Sequence, residues 1–179
     1  MTKTARKKTT KVPTRAVMLK NIERAAKKRV ADVQNITRSC IWYGFETVRE
    51  LDKWGTRAVL QAGTASWLLV PPDKDDGVSP THYTYECEID RHSVMYMMAT
   101  GILPEMHVWA AIPTTNEVID LTTKYVPDLA KSLGLKCHVE FPDYVWEDVK
   151  SLSKKGMFYK PTMAATQLAM HLIMERLEQ

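Results

Sequence analysis

The chain has 179 residues, a length that fits one domain able to bury a core without disulfide staples. Its 45% hydrophobic and 26% charged residues are globular proportions, with no apolar run long enough to span a membrane and no apolar stretch behind the N-terminal charges to form a secretory signal. The net charge of +4 conceals a division: eleven of the 25 Lys and Arg fall in residues 1–30 beside one acid, Glu23, so that segment carries about +10 and the rest of the chain about −6.

A basic segment on an acidic body suits nucleic acid or an acidic partner, and equally a solvated tail folded against its own body. Residues 1–13, polar and basic up to Pro13, read as a disordered arm, and residues 14–179 as a single domain. From Thr14 to about Gln34, Val17, Ile22, Ala25, Ala26, Val30 and Val33 fall roughly on one side of a helix. A second helix starts near Ser39 or Cys40, with Ser39 or Thr37 as its cap. Ile41, Phe45, Val48 and Leu51 recur at helical spacing there, Glu46, Arg49, Glu50 and Lys53 lie off that face, and Gly55 stops the helix.

The period then changes. Residues 57–62 and 65–70 are strand-like, broken at Gly63 and ended by Pro71-Pro72. Residues 82–89 alternate strictly, with Tyr83, Tyr85, Cys87 and Ile89 on one face. A Met-rich helix is predicted over residues 91–101, strands over 106–112 and 118–121 joined by a turn at Pro113-Thr114-Thr115-Asn116, and a short helix over 128–134. A longer helix over 163–177, begun by Pro161-Thr162, turns Leu168, Leu172 and Ile173 inward. Helices followed by an antiparallel sheet and further helices give an α+β class.

The three cysteines, Cys40, Cys87 and Cys137, are odd in number and far apart, which argues against a disulfide framework and for a reducing, cytoplasmic compartment. A thiol is a nucleophile only as thiolate, and the first turn of a helix together with a nearby His favours that form. Cys40 sits where a helix begins, whereas Cys87 lies mid-strand and Cys137 in a loop-to-strand run. Among five histidines, His107 lies in a strand, on the face opposite Met106 and Val108. Asp120 is an acid among apolar neighbours on the next strand, where it needs a partner, and an imidazole held by one nitrogen is the obvious one. An even-length turn puts both on one sheet face. Direct opposition requires a turn centred on Pro113-Thr114, turn chemistry favours Thr115-Asn116, and a bulge is one way to reconcile them. Cys87 with His92, or Cys137-His138, lacks the ligand set of a zinc site, so neither metal nor cofactor is expected. The Met cluster and Trp42, Tyr43, Trp54 and Trp67 read as packing residues.

Ser39-Cys40 followed by Leu51 and Trp54-Gly55, then His107-Val108-Trp109, then Ile119-Asp120-Leu121, resembles the transglutaminase-like branch of the papain-like fold. The order is similar to that of bacterial transglutaminase-like peptidases, the leader peptidases of lasso-peptide maturation and arylamine N-acetyltransferases, and the likeness covers about Thr37 to Thr123. The runs from Gln61 to Trp67 and from Glu105 to Trp109 also resemble a group of uncharacterised bacterial and phage proteins. The resemblance implies a nucleophile helix packed on an antiparallel sheet, plus N- and C-terminal helices. It implies Cys40, His107 and Asp120 as catalytic residues, with a peptide or protein as substrate. Gln34, six residues before Cys40, has the spacing of the oxyanion glutamine in papain-like proteases, and Trp109, sharing the parity of His107, is placed in the cleft. Where that family often has Gly before the nucleophile this chain has Arg38-Ser39, and the stretch between Cys40 and His107 is longer than in its smallest members. The expected activity is thiol-dependent acyl transfer on an amide bond: peptide or isopeptide hydrolysis first, amine transfer second. The alternative is a catalytically silent binding or phage assembly protein whose basic segment holds nucleic acid or an acidic partner.

Overall fold

A computed structural model describes residues 12–30, 39–72, 79–87, 89, 91–100 and 105–178. The first half runs through helices α1 (Arg15–Val30) and α2 (Ser39–Lys53), strands β1 (Val59–Val70) and β2 (Thr81–Tyr85), and helix α3 (Arg91–Thr100). The hairpin of β3 (His107–Ile112) and β4 (Glu117–Asp120) follows, then a 3-10 turn (Thr123–Tyr125) and helix α4 (Val126–Ser132). Strand β5 (Val145–Asp148), helix α5 (Val149–Lys154), strand β6 (Met157–Pro161) and helix α6 (Met163–Leu177) complete an α+β fold. The strands are antiparallel throughout, in the order β2-β1-β3-β4-β5, with β6 also paired to β1.

Strand β1 organises the sheet. Residues 59–63 pair with β3, 63–67 with β6, and 65–70 with β2. The expected break at Gly63 is therefore corrected: β1 runs through it. Gly63 faces His107 on one neighbour and Pro161 on the other. A Cβ there would run into the Lys160 carbonyl oxygen and stand 3.0 Å from Pro161 Cα and Thr162 N. The glycine marks a close backbone approach rather than a strand end. Gly63→Ala is expected to cost about 1–3 kcal/mol of folding stability, the range for overpacking. A urea midpoint unchanged by the substitution would show instead that β6 moves aside freely.

Both faces of the sheet are covered. Trp67, Leu69, Trp109, Ala111, Val118 and Val145 pack with Val126 and Ala130 of α4 and Leu152 of α5. On the opposite face, Ala110, Ile112 and Ile119 meet Met18, Leu19, Ile22 and Ala26 of α1 and Tyr43 and Leu51 of α2. Leu60, Ala62 and Val108 on that face meet Ile41 of α2 and Ala165, Ala169 and Ile173 of α6. This is why β3 is buried at all six positions instead of alternating. Thr162 caps α6, accepting from the Ala165 amide at 3.2 Å, and Leu168 and Leu172 are half-buried beside Ile173.

Two expectations for the helices change. The buried stripe of α1 is Met18, Leu19, Ile22 and Ala26, leaving Val17 exposed, while Val33 lies outside the described residues. Glu46 and Glu50 of α2 are buried, because α1 lies over them. Buried carboxylates need partners. Arg29 Nε donates to Glu46 Oε1 at 2.8 Å, Asn21 Nδ2 to Glu50 Oε1 at 2.8 Å, and Lys53 Nζ to Glu50 Oε2 at 2.8 Å. Arg15 likewise reaches Glu117 at 2.8 Å. Part of the basic segment is thus a docked helix whose cations answer acids of the body. Among the described residues, no helix is long and apolar enough to cross a membrane.

Candidate active site

The β3–β4 hairpin decides how His107 meets Asp120. Its ladder pairs Ala110 with Ile119, Ala111 with Val118 and Ile112 with Glu117, around a turn over residues 113–116. Asn116 closes the turn at φ 55°, a left-handed conformation that asparagine tolerates better than most residues. Continued by one step, this register sets Asp120 across from Trp109, so His107 is its diagonal neighbour. The turn is centred on Thr114-Thr115, between the two alternatives open in the sequence, and no bulge is required. A diagonal pair on one face is within reach of a long or aromatic side chain. The imidazole crosses that gap, placing Nε2 at 2.7 Å from Asp120 Oδ2.

Asp120 is 2% exposed, and its carboxylate is fully engaged. Oδ1 accepts from the Thr122 amide at 2.8 Å and the Thr122 hydroxyl at 2.6 Å. Oδ2 accepts from Tyr159 Oη at 3.0 Å as well as from His107. Burial alone would push the Asp120 carboxyl up, but the charge and hydrogen bond of His107, with the two Thr122 bonds, hold it below the usual aspartate value. For His107 burial works downward, and it is outweighed by the Asp120 charge and hydrogen bond and then by a hydrogen bond with Cys40, lifting its pKa to about 10. With Nε2 committed to Asp120, Nδ1 is the nitrogen left for the thiol.

Cys40, in the first turn of α2, lines one narrow pocket with His107, Trp67, Tyr85, Thr122 and Tyr125. The imidazole is held by aromatic rings. Trp67 meets it edge-on with centroids 4.9 Å apart, and Tyr85 and Trp109 stack against it at 5.5 and 6.1 Å. Trp109 is 1% exposed and its Nε1 donates to Gln61 Oε1 at 3.0 Å. It backs the imidazole from inside the core, which corrects its expected place in the cleft: matching parity puts a residue on the right face, but the end of the strand decides whether it reaches the opening. Gln34 lies outside the described residues. Cys87 is buried in the α2–α6 cluster, where burial pushes its thiol up, and the Cys137 thiol turns to the Val139 carbonyl at 3.4 Å.

The linked charges of this pair make a pH prediction. A His107 pKa above its unfolded value near 6.5 contributes stability that is complete below that pH and lost as pH rises through about 10. The lowered Asp120 carboxyl contributes stability present above its unfolded value and lost as pH falls through its folded one. The stability difference between the wild type and His107→Gln, read from urea titrations, should therefore shrink from about pH 6.5 to pH 10. A difference that stays flat across that window would mean His107 is not held charged by Asp120.

The sequence matches no protein-family model and no curated protein. The crystal structure of a genomics target is similar in fold, with a TM-score of 0.54 over 92% of this chain and 74% of that one, at 11% sequence identity.

Proposed function

We propose that the protein is a cysteine enzyme of the transglutaminase-like, papain-like kind, carrying out acyl transfer on an amide bond. The observation that supports this reading is a single one: His107, hydrogen-bonded to Asp120 at 2.7 Å, lines the same narrow pocket as Cys40 in the first turn of α2. The Cys40 sulfur attacks the substrate carbonyl, its proton having passed to His107 Nδ1. The negative oxygen of the tetrahedral adduct is stabilised by backbone N–H groups at the start of α2, that of Cys40 among them. When the C–N bond breaks, His107 returns the proton to the leaving amine and a thioester remains on Cys40. Water attacks the thioester with His107 as base, giving an acid and the free thiol; an amine in its place gives a new amide. Asp120 keeps the Nε2–H bond throughout and so fixes the tautomer. Trp67, Tyr85 and Tyr125 wall the pocket beside the thiol, which suits a slender, uncharged acyl group at the scissile bond of a peptide or isopeptide. A free thiol nucleophile needs reducing surroundings, which favours the cytoplasm. The direct test is labelling of the native protein with an electrophilic thiol probe and mapping by mass spectrometry. Selective modification of Cys40 is expected; equal labelling of Cys40, Cys87 and Cys137 would remove the basis for the proposal.

A second reading, a binding or phage assembly protein that holds nucleic acid or an acidic partner, draws on the outward face of α1, where Lys20, Arg24 and Lys28 are exposed. Deleting residues 1–13 removes four further Lys and Arg ahead of Pro13, besides Lys11, and leaves the buried stripe of α1 intact. The truncated protein should fold and keep its Cys40 labelling, while any affinity for nucleic acid drops, most visibly at low salt. Unfolding on truncation would make those residues part of the fold and end the binding-arm reading.

A further inference from the structure

Asp120 Oδ2 is shared between two donors, and only one of them is explained by the proposed chemistry. Tyr159, on β6, places its hydroxyl 3.0 Å from Oδ2, while His107 Nε2 stands at 2.7 Å from the same atom. The Tyr159 oxygen in turn accepts from Trp67 Nε1 at 3.1 Å. An indole N–H can only donate, so the Tyr159 oxygen must accept from it and direct its own proton at Asp120. Both ends of this relay are interior: Trp67 is fully buried and Asp120 nearly so. Burial first, and then the Asp120 charge, push the Tyr159 hydroxyl well above its ordinary value, so it keeps its proton. Packing against Trp67 and Trp109 at 6.0 and 5.2 Å explains the ring, and the buried Trp67 N–H explains the oxygen; the proton aimed at Asp120 is what these leave unexplained.

We infer that Tyr159 is a positioning residue: oriented by Trp67, it draws charge from Asp120 Oδ2 and so moderates how tightly His107 holds its proton. The role rests on the acyl-transfer reading above, in which His107 must return a proton to the leaving amine. A carboxylate oxygen facing the imidazole alone would stabilise the imidazolium more strongly and make that proton harder to release. Sharing Oδ2 with a neutral donor lowers the pull while Thr122 keeps the carboxylate from turning.

The test reads His107 directly, by NMR titration of the full chain carrying labelled histidine. In Tyr159→Phe the His107 titration should move up by about half a pH unit or more, since one hydrogen bond to a charged group is lost. Replacing Tyr159 by 3-fluorotyrosine gives a more acidic phenol and a stronger donor, and the same titration should move down. A role in packing alone predicts no movement in either protein. No shift, or shifts of the same sign, overturns the inference. Should Tyr159→Phe fail to fold because Trp67 Nε1 loses its acceptor, the fluorinated protein decides alone: a downward shift supports the role, and any other result overturns it. Because the readout needs no turnover, it separates this inference from the activity. A Cys40 that labels no faster than Cys87 would end the acyl-transfer reading while leaving the titration result standing.

Discussion

Replacing His107 by Gln is expected to slow alkylation of Cys40 at pH 6.5 by about 100-fold or more, the low end of what a positioned acid–base group contributes. Only the ring nitrogen that accepts the thiol proton is lost. Gln is close in volume, and its amide still offers a donor toward Asp120 Oδ2, so the buried carboxylate keeps a partner. His107 sits between Tyr85 and Trp109, and those rings constrain whatever replaces it to the same slot. Cys87 serves as the internal standard: its thiol is pushed up by burial alone, and its slow reaction should be the same in both proteins. Cys40→Ser completes the set by removing the labelled site. If Cys40 in His107→Gln reacts as fast as in the wild type, the thiol owes nothing to the imidazole and the proposed mechanism fails.

What the sequence discloses and what it hides follow from how local each signal is. The start of α2 at Ser39 and its stop at Gly55 depend on residues within one turn, and both are readable from the chain alone. So is the shared face of His107 and Asp120, because parity along a strand and an even turn are local properties. The diagonal offset of the pair is not, since it depends on which turn residue takes the left-handed conformation, and Asn116 takes it at the last position. Gly63 looks like a breaker in isolation and becomes a contact point only when β6, almost a hundred residues later, lies against it. Strands β5 and β6 give no pattern: β6 carries Lys160 and Pro161 on an exposed edge, and its two useful residues, Met157 and Tyr159, are too few to show a period. Tyr159 is therefore not legible in the chain alone. Thr122 carries a local signal, because a hydroxyl two residues after an isolated acid is a common partner for it. Glu46 and Glu50 read as solvated for a related reason: a helix face with acids looks solvated until the basic helix that covers it is in place.

The largest loss of stability should follow Asp120→Ala. Its carboxylate, itself buried, serves four donors, two from Thr122 and one each from Tyr159 and His107. Removing it takes the acceptor from all four donors and the counter-ion from His107, which burial then drives to its neutral form, and breaking such a buried pair costs about 3–5 kcal/mol. That figure is a large share of the stability of an ordinary domain, so the variant should be partly unfolded under mild heating. Asp120→Asn separates this cost from the chemistry. The amide fills the same space, and its oxygen still accepts from one side, so the stability loss should be smaller. Its nitrogen, however, donates where an acceptor stood. If the nitrogen faces His107, Nε2 must become the acceptor and the ring proton moves to Nδ1, the side turned to Cys40. If the oxygen faces His107, the imidazole keeps its tautomer, but the charge that raised it is gone and burial pulls it down. In the first orientation Cys40 loses its base, and in the second it faces a weaker one that no longer holds the thiol proton as an imidazolium at neutral pH. Cys40 alkylation at pH 6.5 in Asp120→Asn should fall toward the level of His107→Gln while the urea midpoint falls less than in Asp120→Ala. A folded Asp120→Asn protein with wild-type Cys40 reactivity would show that Asp120 holds the sheet together and does nothing for the thiol.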